Sequence, residues 1–104
     1  MMGRVAVGPL VVGHRGEPLD HVENTLAAVL AGFALRADMV EIDLRLTADG
    51  EVVAAHDDRL RRVWRTAGTV QGSTWPELRK LRRHGSGIPS LSEVLTTTGG
   101  PLML

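Results

Sequence analysis

The chain contains no cysteine, which removes disulfides, thiolate catalysis and cysteine-based zinc sites together. Aromatic residues make up only 3% of it, too few for the stacking platforms of single-strand nucleic-acid binders. Neither sign of charge is in excess: 12 Lys and Arg balance 12 Asp and Glu. A net charge of zero gives no global pull toward nucleic acid or an anionic membrane. Arg61, Arg62 and Arg65 around Trp64, and the basic run 79–84, therefore read as a solvated loop and helix face, with Trp64 and Trp75 as packing anchors. Long apolar runs are missing too. Residues 5–12 are interrupted by Gly8 and Pro9, too short to span a bilayer and without a signal peptide's cleavage pattern. A buried strand is the better reading, with cytoplasmic residence and no stable membrane insertion expected.

What is present suits one small globular domain. The chain has 104 residues, 43% of them hydrophobic and 23% charged, enough apolar side chain to form a core. Residues 10–13 read as a short buried strand leading into the loop His14-Arg15-Gly16. Asn24 is the predicted N-cap of a helix through Phe33, because Leu26, Val29, Leu30 and Phe33 recur at helical spacing. Residues 39–47 alternate apolar and polar, as a strand does. Asp49-Gly50 is a strong two-residue hairpin signal, with residues 51–56 as the return strand. Residues 59–72 show no period and read as loop. Thr74-Trp75-Pro76-Glu77 and Ser90-Leu91-Ser92-Glu93 are capping boxes, opening helices to about Arg83 and to Leu95. Leu102-Met103-Leu104 reads as the start of another buried strand. The order implies an α/β protein of βα units, and a chain that ends on entering a strand is expected to be a fragment.

Candidate chemistry lies at the strand ends. In a strand, Glu41 and Asp43 project from one face. Two carboxylates flanked by Val40, Ile42 and Leu44 repel each other and lose hydration, and a divalent cation such as Mg²⁺ or Ca²⁺ would relieve both costs. A solvated face with Arg45 as ion-pair partner is the competing reading. A two-residue hairpin loop would place Asp43 opposite His56, setting a possible general acid or base beside the carboxylates; a bulge would break that register. His14 and Arg15 follow the first strand, where Arg is well shaped for phosphate. Two histidines, one arginine and two carboxylates suit metal-assisted attack on a phosphate ester. Asp57 either orients His56 or simply ends the strand.

These residues, in this order, resemble a known signature. His14-Arg15-Gly16, Glu23-Asn24-Thr25, Glu41-x-Asp43, Thr47-x-Asp49-Gly50 and His56-Asp57 are similar to the N-terminal motifs of the glycerophosphodiester phosphodiesterase family. Asp58-x-Leu60-x-Arg62, Gly68-Thr69-Val70, Glu77-Leu78 and the stretch 88–95 extend the likeness, so that it covers the chain from about residue 11 to its end. The resemblance implies the N-terminal portion of a (β/α)₈ TIM barrel of the phospholipase C-like phosphodiesterase type, truncated. It implies hydrolysis of a small-molecule glycerophosphodiester to an alcohol and glycerol phosphate, with a divalent metal ion as cofactor. His14 and His56 match the family's acid-base pair, Arg15 its phosphate contact, and Glu41 and Asp43 its metal ligands. In the family's scheme the glycerol hydroxyl attacks phosphorus first.

The departures are Val22, where the family carries Pro, and Arg36, where it carries Gly. The family's next motif, Glu-x-Lys, would lie beyond Leu104. The 1–104 chain alone is therefore expected to be poorly stable and nearly inactive. Two other functions fit the same residues: a sphingomyelinase D-like barrel acting on phospholipid head groups, and a non-catalytic remnant serving as an interaction module.

Overall fold

The computed structural model describes residues 12–13, 21–34, 39–97 and 102–103. Its frame is a three-stranded parallel sheet in the order β1-β2-β5, formed by β1 (Val12–Gly13), β2 (Met39–Glu41) and β5 (Leu102–Met103). Val12 pairs with Met39, Gly13 with Val40, Val40 with Leu102 and Glu41 with Met103. Parallel neighbours require crossovers. The first carries α1 (Leu26–Ala34), and the second carries everything between β2 and β5. The strand expected at residues 102–104 is thus present at 102–103 and pairs with the central strand of the sheet.

The predicted strand 39–47 is divided. Its first part, β2, belongs to the parallel sheet, and its last part, β3 (Leu44–Leu46), pairs antiparallel with β4 (Val52–Ala54) in a separate hairpin. Between them Ile42 is buried, joining Val29, Val40 and Val94 in a core beneath α1 and α4 (Leu91–Thr97). The alternation is buried at Val40 and Ile42 but fades beyond the junction, where Leu44 is only partly buried and Leu46 is exposed.

The hairpin register differs by one residue from the two-residue-loop expectation. Leu44 faces Ala54, Arg45 faces Val53 and Leu46 faces Val52. The Thr47 N–H donates to the Glu51 carbonyl at 2.9 Å and the Gly50 N–H to the Thr47 carbonyl at 3.1 Å, with Gly50 at φ 85°. The loop is therefore Ala48-Asp49-Gly50, a three-residue turn closed by a left-handed glycine.

The rest of the excursion builds its own core from Val53, Ala55, Leu60, Val63, Trp64, Val70, Leu78 and Ile88, with Trp75 packed at its margin. Both tryptophans are packing anchors, as expected. The segment 59–72, read as plain loop, holds a one-turn helix, α2 (Arg61–Trp64), closed by Arg65 in the left-handed region. Pairing of Arg59 with Thr69 and a bond from the Val70 N–H to the Asp58 carbonyl at 2.7 Å cinch the loop around that turn.

Both capping boxes form. In α3 (Trp75–Leu78) Thr74 and Glu77 satisfy each other's backbone N–H groups, and Ser90 and Glu93 do the same for α4 at 3.1 Å each way. However, α3 stops at Leu78 and does not continue to Arg83. No helix among the described residues is long and apolar enough to cross a membrane.

Candidate active site

Glu41 is the last residue of β2 and so stands at the C-terminal end of a parallel strand. Two residues on, Asp43 is held by an unexpected partner. The Asp43 N–H donates to Asn24 Oδ1 at 2.9 Å, and Asn24 Nδ2 donates to Asp43 Oδ2 at 3.1 Å. Asn24 is only 2% exposed and lies at φ 56°, a region Asn enters more readily than most residues. It is therefore not the N-cap of α1. That role falls to Thr25, whose Oγ1 accepts from the Ala28 N–H at 3.2 Å and donates to the Val22 carbonyl at 2.7 Å. Shifting the cap by one residue frees the Asn24 amide for Asp43.

His56 is not opposite Asp43. The Asp43 carbonyl accepts from the Ala55 N–H at 2.9 Å, so His56 lies one position beyond the direct partner. Its carbonyl accepts from Arg45 Nε at 3.0 Å and Nη2 at 2.7 Å, which pins the backbone where β4 ends. On the side chain, Nδ1 lies 2.7 Å from Asp57 Oδ1. Asp57 in turn accepts from Arg62 Nε at 2.7 Å and Nη2 at 3.3 Å, while Arg62 Nη2 also donates to Glu23 Oε1. The Arg62 guanidinium and then His56 hold the Asp57 carboxyl well below the usual carboxylate range, and Asp57 and Glu23 raise Arg62 in return. Arg62, read from sequence as part of a solvated basic face, is thus bound to two carboxylates. The spacing Asp58-x-Leu60-x-Arg62 was the signal that could have singled it out.

Glu23, Asn24, His56 and Asp57 border one recess of about 10 Å³. It is too small for more than a single water, so the 21–25 loop and the end of β4 meet as a packed seam. Asp49 has a structural task. Its Oδ1 accepts from the Thr47 hydroxyl and, at 3.0 Å, from the Trp75 N–H, and these bonds hold its carboxyl below the ordinary value. The hairpin loop is thereby tied to the start of α3.

His14 and Arg15 lie outside the described residues. Among the described residues no three His, Asp or Glu side chains gather closely enough to hold an ion. Glu41 and Asp43 remain a pair of hard oxygen donors, one of them oriented by a buried amide, which is the donor chemistry Mg²⁺ or Ca²⁺ takes.

Residues 14–102 match the sequence profile of the glycerophosphoryl diester phosphodiesterase family. The chain belongs to this family. It is 37% identical over 98 residues to a glycerophosphodiester phosphodiesterase of Caldanaerobacter subterraneus, covering 86% of this chain and 40% of that protein. The crystal structure of the Thermotoga maritima glycerophosphodiester phosphodiesterase superposes with a TM-score of 0.80 at 34% identity, over 90% of this chain and 41% of that one. An Oleispira antarctica phosphodiesterase, solved with its product sn-glycerol-3-phosphate, gives 0.83 at 32% identity, over 90% and 42%. The chain thus spans about 40% of the length of these relatives. Its α/β fold is the corresponding N-terminal portion of the (β/α)₈ barrel. In that fold the C-terminal strand ends carry the chemistry, which is where this family member has Glu41.

Proposed function

We propose that the complete polypeptide carrying this sequence hydrolyses glycerophosphodiesters to an alcohol and glycerol phosphate, and that residues from about 11 onward form part of its phosphodiesterase domain. The observation that supports this most is family membership across residues 14–102, with Glu41 and an amide-braced Asp43 at the end of a parallel strand. The Oleispira relative's product, sn-glycerol-3-phosphate, has the chemistry expected of the reaction.

In this reading Glu41 and Asp43 hold a divalent cation, Mg²⁺ or Ca²⁺. When bound, that ion neutralises charge on the phosphate oxygens and makes the attacking hydroxyl more acidic. Asn24 occupies one side of the Asp43 carboxylate and so fixes the direction in which the other oxygen points. Arg15 contacts the phosphate. His14 and His56 divide the proton work. One removes the proton from the glycerol hydroxyl as it attacks phosphorus, and the other protonates the departing alcohol oxygen as its bond to phosphorus breaks. Water then opens the cyclic phosphate with the two roles exchanged.

The test is release of sn-glycerol 3-phosphate from glycerophosphocholine by the complete polypeptide, with and without EDTA. We expect chelator-sensitive turnover that His14→Ala, Glu41→Ala and His56→Ala each reduce by about 10²-fold or more. Chelator-insensitive turnover would remove the metal from the scheme. Cleavage of sphingomyelin with glycerophosphocholine untouched would favour a head-group phosphodiesterase instead.

A further inference from the structure

Glu23, Arg62, Asp57 and His56 form one hydrogen-bonded chain drawn from three separate parts of the fold. Glu23 precedes α1, Arg62 belongs to α2, and Asp57 and His56 follow β4. Glu23 and Arg62 are 39 residues apart in sequence. Two of its members are anchored through their neighbours. Glu23 adjoins Asn24 and Thr25, which are 2% and 0% exposed, and Arg62 adjoins the buried Val63 and Trp64. The His56 side chain itself is 44% exposed and Arg62 is 52% exposed. At that exposure a single ion pair orders little. A guanidinium that grips one carboxylate through both Nε and Nη2 while reaching a second carboxylate is a different case, because the planar fork fixes direction as well as charge.

Direction matters because the chain terminates on one particular nitrogen. Asp57, kept ionised by Arg62, can only accept a hydrogen bond, so the His56 Nδ1 facing it is the nitrogen that carries the hydrogen. The remaining nitrogen, Nε2, then carries the lone pair that takes up a proton, and the same nitrogen carries the proton that is later given back. A brace serving only to join the 21–25 loop to α2 would end at Glu23 and Arg62. Its continuation through Asp57 to Nδ1 is what gives it a chemical consequence.

We propose that Glu23, Arg62 and Asp57 are positioning residues that hold His56 in its Nδ1-protonated tautomer and present Nε2 to the reacting phosphate. This rests on His56 acting as an acid-base group, as proposed above. Arg45 also bonds to His56, but at the backbone carbonyl and not the ring, so it does not select the tautomer.

The experiment uses the complete polypeptide with ¹⁵N-labelled histidine, reading the His56 ring nitrogens by NMR and turnover of glycerophosphocholine in parallel. Asp57→Asn is nearly isosteric and can donate to the ring where Asp only accepts. It should shift His56 toward the Nε2-protonated form and lower kcat by about 10²- to 10⁴-fold, the upper figure matching loss of the correct tautomer in a serine-protease triad. Arg62→Ala should lower kcat by about 10- to 100-fold, with KM changed less than about threefold, and free guanidinium should restore part of the loss. Glu23→Gln should fall between Arg62→Ala and the parent.

An unchanged His56 tautomer in folded Asp57→Asn would overturn the proposal, as would parental kcat in folded Arg62→Ala. Loss of kcat in Arg62→Ala with no tautomer change and no guanidinium rescue would also overturn it, leaving a purely structural brace. His56→Ala separates the two levels. If it retains full turnover, the acid-base role of His56 fails. If it is inactive while Arg62→Ala and Asp57→Asn are unaffected, the positioning chain alone fails.

Discussion

Asn24 combines a left-handed backbone with a buried amide whose two ends both engage Asp43. Its two contributions can be separated. Asn24→Ala should cost about 1–2 kcal/mol for the backbone conformation and about 1–3 kcal/mol more for the Asp43 N–H left without its partner. Asn24→Gly incurs only the second cost. Both variants should lose about 10- to 100-fold in divalent-metal affinity, because the carboxylate is no longer aimed. Urea melts and calorimetric Mg²⁺ or Ca²⁺ titrations check the two parts, and unchanged affinity in Asn24→Gly would show that the amide does not orient the ligand. Asp57 makes a second prediction at this scale. Arg62 and His56 depress its pKa in the folded protein, so its contribution to stability is complete above the usual carboxylate range and fades as pH falls through and below that range. Both partners being partly exposed, about 1 kcal/mol or less is involved. Urea melts should therefore show the gap between parent and Asp57→Asn narrowing from pH ~7 to ~3.

Among the elements, the turn at Ala48-Asp49-Gly50 decides where His56 stands. Gly50 lies at φ 85° with open space around a prospective side chain, so Gly50→Ala is opposed by backbone strain and not by a clash. A loss of about 1 kcal/mol follows, together with weaker amide protection through Val52–Ala54 in hydrogen exchange. Full retention of both would mean that the loop does not depend on the left-handed position. Sequence reading reached the hairpin, both capping boxes, α1, and the strand at Leu102–Met103, because each depends on a local pattern written in a few residues. It missed the register by one, since Asp49-Gly50 suits both a two-residue loop and the last two positions of a three-residue one, and the bonds that accompany the longer loop include remote ones, from the Ala48 N–H to the Ser73 carbonyl and from the Trp75 N–H to Asp49. The turn of α2 was illegible for a related reason. A single helical turn has no period to detect, and its stability comes from Val63 and Trp64 reaching a core assembled from remote segments.

Across the whole molecule, the candidate site depends on pieces that the chain brings together from a distance. Glu41 and Asp43 were readable as two carboxylates at a strand end, but the register expected to set His56 opposite Asp43 was not realised; Asn24, Arg62 and Glu23 gained their places only through contacts with segments far along the sequence. Binding of Mg²⁺ or Ca²⁺ to that assembly should stabilise the complete polypeptide, by about 2.7 kcal/mol at a hundredfold excess over Kd. A thermal melt with and without metal would read this as a rise in Tm that Glu41→Gln removes. No rise with either ion, or an equal rise in the variant, would place binding elsewhere.

The two sheets also differ in when they can form. Leu46 meets Val52 across one tight loop, a closure that hairpins complete in about 1–10 μs. Val40 pairs with Leu102 across the entire intervening excursion, and such distant pairings are slow to form. Pulse-labelled exchange during refolding should therefore protect the amides of Val52–Ala54 before those of Met39–Glu41, and the opposite order would refute this. The surroundings of His56 would then exist as an early island, while Glu41 waits for its cross-strand neighbour Met103.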